Sequence, residues 1–466
     1  MKKDILRKLP AIDELMNTEA LKIALDKHDR EFLADSCRKV VDTLRSRIIT
    51  EDKPEMDLSA ENIGLMVLEY IDARFRPSIR HAVNAAGIIL HTGLGRAMLS
   101  EAAAQAVSDV IKGYCTLATS IETGQRDSRD VHVTGLLREL TGAEAATIVN
   151  NNAAATMLIL NTIAAGKEVI VSRGQLVEIG GAFRMPDVMA ASGAIMREVG
   201  TTNKTHLRDY ASAINENTGA ILHVHQSNYR IVGFTAEPAI EEMAPIAKEH
   251  GIPIIDDLGS GALIDLANYG LEPEPMVQAS VKAGCDAICF SGDKLIGGPQ
   301  SGIIVGKENT IKKIKKNPLA RALRVGKMEV AALEATLKLF LEPGRLEERH
   351  PTYRMLSIPL DVLERRALTV AAKLGDISAE VSVIDGRSQV GSGSVPAETM
   401  PTKILSIKPE SMSADLLAKK LRYNDTPIFA RIHHESVLFD FRTIQPDEDS
   451  VVANALRAIL NKKVHS

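Results

Sequence analysis

The sequence predicts an α/β chain with a mostly parallel central sheet, preceded by a helical N-terminal domain and followed by a small α+β C-terminal domain. Three observations carry that prediction. Apolar residues recur at three- and four-residue spacing over residues 1–77, the helical period. Short β-branched runs then alternate with helical stretches over 78–342, the pattern of a parallel sheet with helices on both faces. Past residue 343 the chain reads as strand, turn and strand, then helix and hairpin. A length of 466 residues exceeds one ordinary core and fits such a division.

The N-terminal segment "IDELMNTEALKIALDKHDREFLADSCRKVVDTLRSRI" sets charges between its apolar positions. Residues 1–80 hold 15 Lys/Arg against 16 Asp/Glu, so this unit is balanced and solvated, suited to packing or to a partner. "RFRPSIRHAVNAAGIILHTGLGR" breaks the helical period with proline and glycines and marks the boundary near residue 78. In the middle domain "ATIVN", "EVIVSR", "AILHVH", "PIIDD", "AICFSG" and "GIIVG" are the expected strands. They are nearly all apolar, as strands covered on both faces must be. "AAATMLILNTIAA" and "AIEEMAPIAKEHG" are expected helices between them. Beyond it, "AEVSVIDGRSQVGSGSVPAETMPTKILSIKP" reads as two strands, "SADLLAKKLRYN" as a helix and "IFARIHHESVLFDFRT" as a hairpin.

Composition excludes several classes. Apolar residues at 45% and charged residues at 25% are those of a globular protein, and a net charge of −4 gives no global basic field for nucleic acid. A local patch could still serve RNA. The four cysteines, Cys37, Cys115, Cys285 and Cys289, are too sparse for a disulfide framework and favour a reduced setting. "MKKDILRKLPAIDELM" has no apolar signal region, and no apolar run reaches spanning length, so a cytoplasmic location is expected.

"FSGDKLIGGPQSG" (290–302) places Lys294 after a strand, between an acid and a glycine-proline turn. "IIDDLGSG" (254–261) places Asp257 at the carboxyl edge of another strand, where α/β proteins build their sites. Lysine and aspartate in this order are the pattern of a pyridoxal 5′-phosphate enzyme. The lysine forms the Schiff base and the aspartate keeps the pyridine nitrogen protonated. Burial would lower the lysine pKa and leave it competent as nucleophile and base. "VNNNAAATMLILN" (149–161) ends a strand and begins a helix, so Asn151, Asn152 and the small Ala153 would offer backbone N–H groups to the phosphate. Ser291 can add a hydroxyl, and His225, ending "AILHVH", can stack on the ring. Singly, an N-cap, an Asn turn and a structural histidine are the commoner readings of these residues. Together, in this order, they point to the cofactor.

"KENTIKKIKKNPLARALR" (307–324) holds seven Lys/Arg and one acid. Its lysines read as a solvated helix face, whereas Arg321 and Arg324, three apart on one helix face, can grip a phosphate or carboxylate. Arg96, after the glycine-rich "HTGLG", supplies a third candidate for an anionic second substrate. "GSGSVP" (391–396) lacks the lysine of a P-loop and reads as a turn, and "HHE" (433–435) has no partners at metal spacing, so no metal is assigned.

These residues fall within longer matches. "VNAAGIILHTGLGRA", "VNNNAAA", "VSRGQLVEIGGAFRMPDVM", "VGTTNKTHLRDY", "SNYRIVGFT", "DLGSG", "FSGDKLIGGPQSGIIVG" and "AALEATLKLFLEP" resemble the bacterial selenocysteine synthase family, the L-seryl-tRNA(Sec) selenium transferases. The resemblance runs nearly end to end, from "LPAIDELM" to "FDFRT". It implies a fold-type I pyridoxal-phosphate transferase that converts seryl-tRNA(Sec) to selenocysteyl-tRNA(Sec). The reaction passes through a cofactor-bound aminoacrylyl intermediate, with selenophosphate as donor. It also implies that Lys294 carries the cofactor and removes the α-proton, that Asp257 faces the pyridine nitrogen, and that Arg96, Arg321 and Arg324 surround the selenium donor. The N-terminal domain would hold the tRNA, and the assembly would be a homo-oligomeric ring built from dimers.

The chain departs from the family pattern at "TLATSIETGQRDSR" (116–129), at Gly93 where the family has asparagine, and at Gly326 where it has aspartate. Two other readings therefore stand beside the first. One is a paralogous lyase or β-replacement enzyme with the same cofactor, acting on a small amino compound, phosphorylated or not. The other is a catalytically dead tRNA-binding scaffold, against which Asp257 and Lys294 speak.

Overall fold

The computed structural model describes residues 2–50, 57–181, 183–391, 393 and 398–461. The chain forms two compact units, 1–81 and 82–466. In the first unit the long helix Arg30–Thr50 buries Leu33, Cys37, Val40, Val41 and Leu44, spaced by three and four residues. Helix Ala60–Phe75 contributes Ile63, Val67 and Ile71 to the same core, and the short helices Ile12–Met16 and Glu19–Ala24 add Leu15, Met16 and Leu21. Ser59 caps the Ala60–Phe75 helix by accepting from the Asn62 N–H at 3.3 Å.

The second unit contains fifteen strands among its described residues. These are β1 (Val83–Ala85), β2 (Ile88–Leu90), β3 (Ala145–Val149), β4 (Glu168–Ser172), β5 (Glu178–Ile179), β6 (Phe183–Arg184), β7 (Ile195–Val199) and β8 (Thr218–Val224). There follow β9 (Ile254–Gly259), β10 (Ala287–Ser291), β11 (Gly302–Gly306), β12 (Ala379–Gly391), β13 (Thr399–Pro409), β14 (Ile428–His433) and β15 (Ser436–Asp440). Seven of them make one sheet in the order β3-β11-β10-β9-β8-β4-β7, in which only β11 runs against its neighbours. All six expected strands lie in it. The seventh, β7, has a largely exposed face and sits at the edge, which is why its sequence lacks an apolar run.

Side-chain alternation along these strands sorts residues between the two faces. Ile221, Ile254, Ile288 and Ile303 point to one core, with Met243, Ala247 and Val277 of the helices Ile240–Glu249 and Val277–Ala283. Leu222, Ile255, Cys289 and Ile304 point to the other, with Ala155, Leu158 and Ile159 of the helix Asn152–Ala164. Asp256 shares a parity with Ile254 and Asp257 with Ile255, so the two adjacent acids face opposite sides of the sheet.

A second sheet has the order β1-β14-β15-β13-β12-β2. Residues 83–90 depart from a purely sequential division, since β1 pairs with β14 and β2 with β12. The buried Asp440 anchors this sheet, accepting from Ser388 at 2.8 Å, Thr402 at 2.7 Å and Arg431 at 3.1 Å. Most of the "GSGSVP" turn (392, 394–396) lies outside the described residues. His433 and His434 sit at the β14–β15 hairpin, and among the described residues no group of three or more side chains converges as metal ligands. No described helix is long and apolar enough to cross a membrane.

Candidate active site

Lys294 lies just past the end of β10 and is only 6% exposed. The "GGP" sequence after it has a steric reason. Gly297 takes a left-handed φ of 65°, and a Cβ there would strike the His350 ring. His350 Nε2 in turn bonds the Ile296 carbonyl at 2.9 Å, and the Tyr353 hydroxyl donates to the Leu295 carbonyl at 3.0 Å. Two buried side chains from elsewhere in the chain thus pin the two carbonyls that follow the lysine. Gly393 packs against the lysine tip, where a Cβ would run into Nζ. Burial pushes the Lys294 ammonium below the ordinary lysine range; Asp257 opposes this and Arg96 reinforces it.

Asp257 is 5% exposed on β9 and is held at both oxygens. Asn152 Nδ2 donates to Oδ1 at 2.8 Å, and Thr156 Oγ1 donates to Oδ2 at 2.9 Å. Burial raises its pKa, and these two donors pull against that shift. Both donors come from one helix, Asn152–Ala164, at positions four apart and hence on one face. The side chain of Asn151 is committed to the helix, its Oδ1 accepting from the Ala154 N–H at 2.8 Å. The first-turn N–H groups of Asn152 and Ala153 have no intrahelical acceptor, which suits them to an anion. The Asn152 Oδ1 is buried and unpartnered.

Ser291 ends β10 opposite Gly302, and a Cβ on Gly302 would strike the Asn151 carbonyl, so Ser291 and the asparagine turn share one corner of the sheet. His225 directly follows β8, and its backbone N–H donates to the Asp257 carbonyl at 2.9 Å. Lys294, Asp257, Asn151, Asn152, Ala153, Ser291 and His225 are therefore gathered at one end of the sheet. On the opposite face, Asp256 takes His223 Nδ1 at 2.7 Å and Ser280 Oγ at 2.5 Å. Burial disfavours a charged His223, but Asp256 outweighs it and raises the imidazole pKa.

The arginines fall into two groups. Arg321 and Arg324 line a pocket of about 390 Å³ together with Arg126, Arg129, Lys315 and Lys316. The expectation that both lie on one helix is corrected: the helix Pro318–Ala322 ends first, and Arg324 follows in a turn whose Leu323 carbonyl accepts from the Asn150 N–H at 2.9 Å. That bond ties the cationic pocket to the asparagine turn. Arg129, and then burial, Arg321 and Arg126, hold Arg324 below the usual arginine range, the mark of crowded like charges. Arg96 does not line this pocket. It donates to Asp293 Oδ2 at 2.8 Å, from a left-handed φ of 63° rare outside glycine. Gly326 proves to be the N-cap of helix Lys327–Leu339, with no side-chain cap bond. It directly follows Val325, which lines the cationic pocket, and a Cβ at 326 would meet the Glu329 carboxylate.

A buried amine, a doubly held carboxylate, free N–H donors and a cationic pocket can together hold a phosphorylated carbonyl compound and move a proton beside it. Sequence reasoning missed Thr156, His350, Tyr353, Arg126 and Arg129. Only the last two left a signal, as the two arginines of "GQRDSR".

Comparison with known proteins shows the family of the chain. Residues 82–445 match the family described as L-seryl-tRNA selenium transferase, and residues 6–45 match the one described as selenocysteine synthase N terminal. The L-seryl-tRNA(Sec) selenium transferase of Alkaliphilus metalliredigens is 48% identical over 98% of each chain. Those of Carboxydothermus hydrogenoformans and Nitratidesulfovibrio vulgaris are each 46% identical, over 95% of both chains and over 98% of this chain and 99% of the relative, respectively. Among solved structures, D-glucosaminate-6-phosphate ammonia-lyase superposes with a TM-score of 0.58 at 20% identity, over 84% of this chain and 97% of that one. That likeness speaks to the fold.

Proposed function

The chain belongs to the L-seryl-tRNA selenium transferase family, and from that premise we propose that it converts seryl-tRNA(Sec) to selenocysteyl-tRNA(Sec) with pyridoxal 5′-phosphate as cofactor. The observation that carries this reading is the buried Lys294 beside Asp257, a carboxylate held by Asn152 and Thr156. The architecture is that of the fold-type I enzymes. Lys294 would hold the cofactor and Asp257 its pyridine nitrogen. The N–H groups of Asn152 and Ala153, with Ser291, would hold its phosphate, while His225 would lie against the ring. The buried, unpartnered Asn152 Oδ1 fits a site that is completed by a polar group.

When bound, pyridoxal 5′-phosphate supplies an electron-accepting ring that makes the α-proton of an attached amino acid acidic. The protein does the rest. Lys294 Nζ, kept below the ordinary lysine range by burial, takes the α-proton of the seryl group. Lys294 can return that proton to the departing β-hydroxyl, whose loss as water would open the β-carbon to the donor's selenium. The pocket of Arg126, Arg129, Arg321 and Arg324 binds the anionic donor, selenophosphate. Arg96, turned toward Asp293, sits on the lysine side and orients the reacting end. The functional division follows 1–77, 78–342 and 343–466, except that residues 83–90 add two strands to the sheet of the last segment, and the first segment holds tRNA. The assembly is a dimer-based ring in the cytoplasm.

The deciding experiment incubates the protein with pyridoxal 5′-phosphate, seryl-tRNA(Sec) and selenophosphate and looks for selenocysteyl-tRNA. A normal visible band for bound cofactor without tRNA binding or product would sink the transferase reading in favour of a lyase acting on a small amino compound. Arg321→Ala with Arg324→Ala is expected to raise KM for selenophosphate by about 100-fold, two charge-assisted contacts being lost. Cofactor occupancy should stay normal, and its loss would show the arginines to be misassigned.

A further inference from the structure

Glu274, which no motif singled out, is 4% exposed at its side chain, in the segment between the turn Leu266–Tyr269 and the helix Val277–Ala283. Its Oε1 lies 3.5 Å from His225 Nδ1. Both atoms are buried, and neither forms a hydrogen bond with any other described group. A buried carboxylate oxygen and a buried ring nitrogen, each without another partner, leave only each other. Hydrogen bonds of this kind are often long in a free enzyme and tighten when the site fills.

The His225 backbone N–H donates to the Asp257 carbonyl, which fixes the residue to the strand that carries the aspartate and leaves the ring to be oriented by its own contacts. Glu274 is also close enough to bear on the Lys294 ammonium. Both residues line a cleft of about 180 Å³ with His223, Glu237 and Tyr229. His223 is already engaged by Asp256 at 2.7 Å, which leaves His225 as the imidazole open to new duty there.

We propose that Glu274 is a positioning residue acting through His225: its carboxylate accepts the Nδ1 proton, fixes the tautomer and ring plane, and leaves Nε2 to the cleft. A carboxylate on one ring nitrogen determines which tautomer the other presents. This rests on the transferase reading, because the ring so fixed is the one placed against the cofactor.

The test uses full-length protein with pyridoxal 5′-phosphate and the variants Glu274→Gln, His225→Asn and the pair combined. Cofactor affinity and visible spectrum are measured beside kcat and KM for seryl-tRNA(Sec). Glu274→Gln keeps the shape of the side chain. It is expected to lower kcat about 10-fold or more with little change in KM, and to shift the absorption of bound cofactor. The combined variant should be no worse than His225→Asn alone. A wild-type kcat in Glu274→Gln, or losses that multiply in the combined variant, would overturn the proposal. Should Glu274→Gln fail to fold, wild-type kcat and spectrum in His225→Asn overturn it equally. If the wild-type protein takes up no pyridoxal 5′-phosphate, the transferase reading itself falls. Normal uptake with multiplying losses removes only the Glu274–His225 link.

Discussion

Lys294→Ala protein should take up pyridoxal 5′-phosphate without covalent attachment and lose turnover by about 10⁴-fold or more, the scale seen when one group serves as both nucleophile and base. Borohydride reduction followed by peptide mass mapping checks the attachment. Wild-type protein should carry the label on the peptide containing Lys294, and the variant should carry none. A label on another lysine, or unchanged turnover, would remove Lys294 from the centre of the mechanism. The pH dependence has a defined sign. Burial lowers the Lys294 pKa, so the neutral amine that attacks the cofactor appears at lower pH than for a free lysine near 10.4. The rate of cofactor capture by the free protein should therefore rise with pH and level off below that value.

Asp257→Asn is the second large effect. The substitution keeps the size of the side chain but removes the charge that would hold a proton on the pyridine nitrogen. It also puts an N–H₂ where one of two donors, Asn152 Nδ2 or Thr156 Oγ1, now points. A fall in kcat of about 10²- to 10⁴-fold is expected, with weaker cofactor binding and an altered visible spectrum. If Thr156→Val, which deletes one donor to the same carboxylate, gives a smaller shift in the same spectral direction, the hydrogen bonds and the charge act together. An Asp257→Asn protein with wild-type spectrum and rate would show that the carboxylate serves packing alone.

Much of this was legible in the sequence because its causes are local. Strands covered on both faces must be apolar throughout, so β3, β4, β8, β9, β10 and β11 announce themselves. Lys294, Asp257 and the Asn150–Asn152 turn stand at strand ends, where a polar break in an apolar run is visible. What escaped depends on distant pairing. The strands β1 and β2 have three residues each and are defined by partners more than 290 residues away. Thr156 looks like any helix residue until β9 is placed beside it, and His350 and Tyr353 matter only through carbonyls some 55 residues earlier. The good helix formers of "PLARALR" predict a helix through Arg324, yet the helix ends at Ala322 and the Leu323 carbonyl accepts from the distant Asn150 N–H.

The doublet of Asp256 and Asp257 has a consequence for how the sheet is assembled. A strand slipped by one residue exchanges its two faces. In β9 such a slip would turn Asp256 toward the helix Asn152–Ala164 and Asp257 toward His223 and Ser280. Each acid would leave a set of partners built at a specific depth, and an uncompensated buried charge costs about 3–5 kcal/mol. An ordinary apolar strand such as β11, "GIIVG", offers no comparable penalty, since isoleucine is at home on either side. The acid with no evident part in the chemistry thus works as an alignment key: by holding Asp256 on the far side, His223 and Ser280 guarantee that Asp257 arrives on the near one.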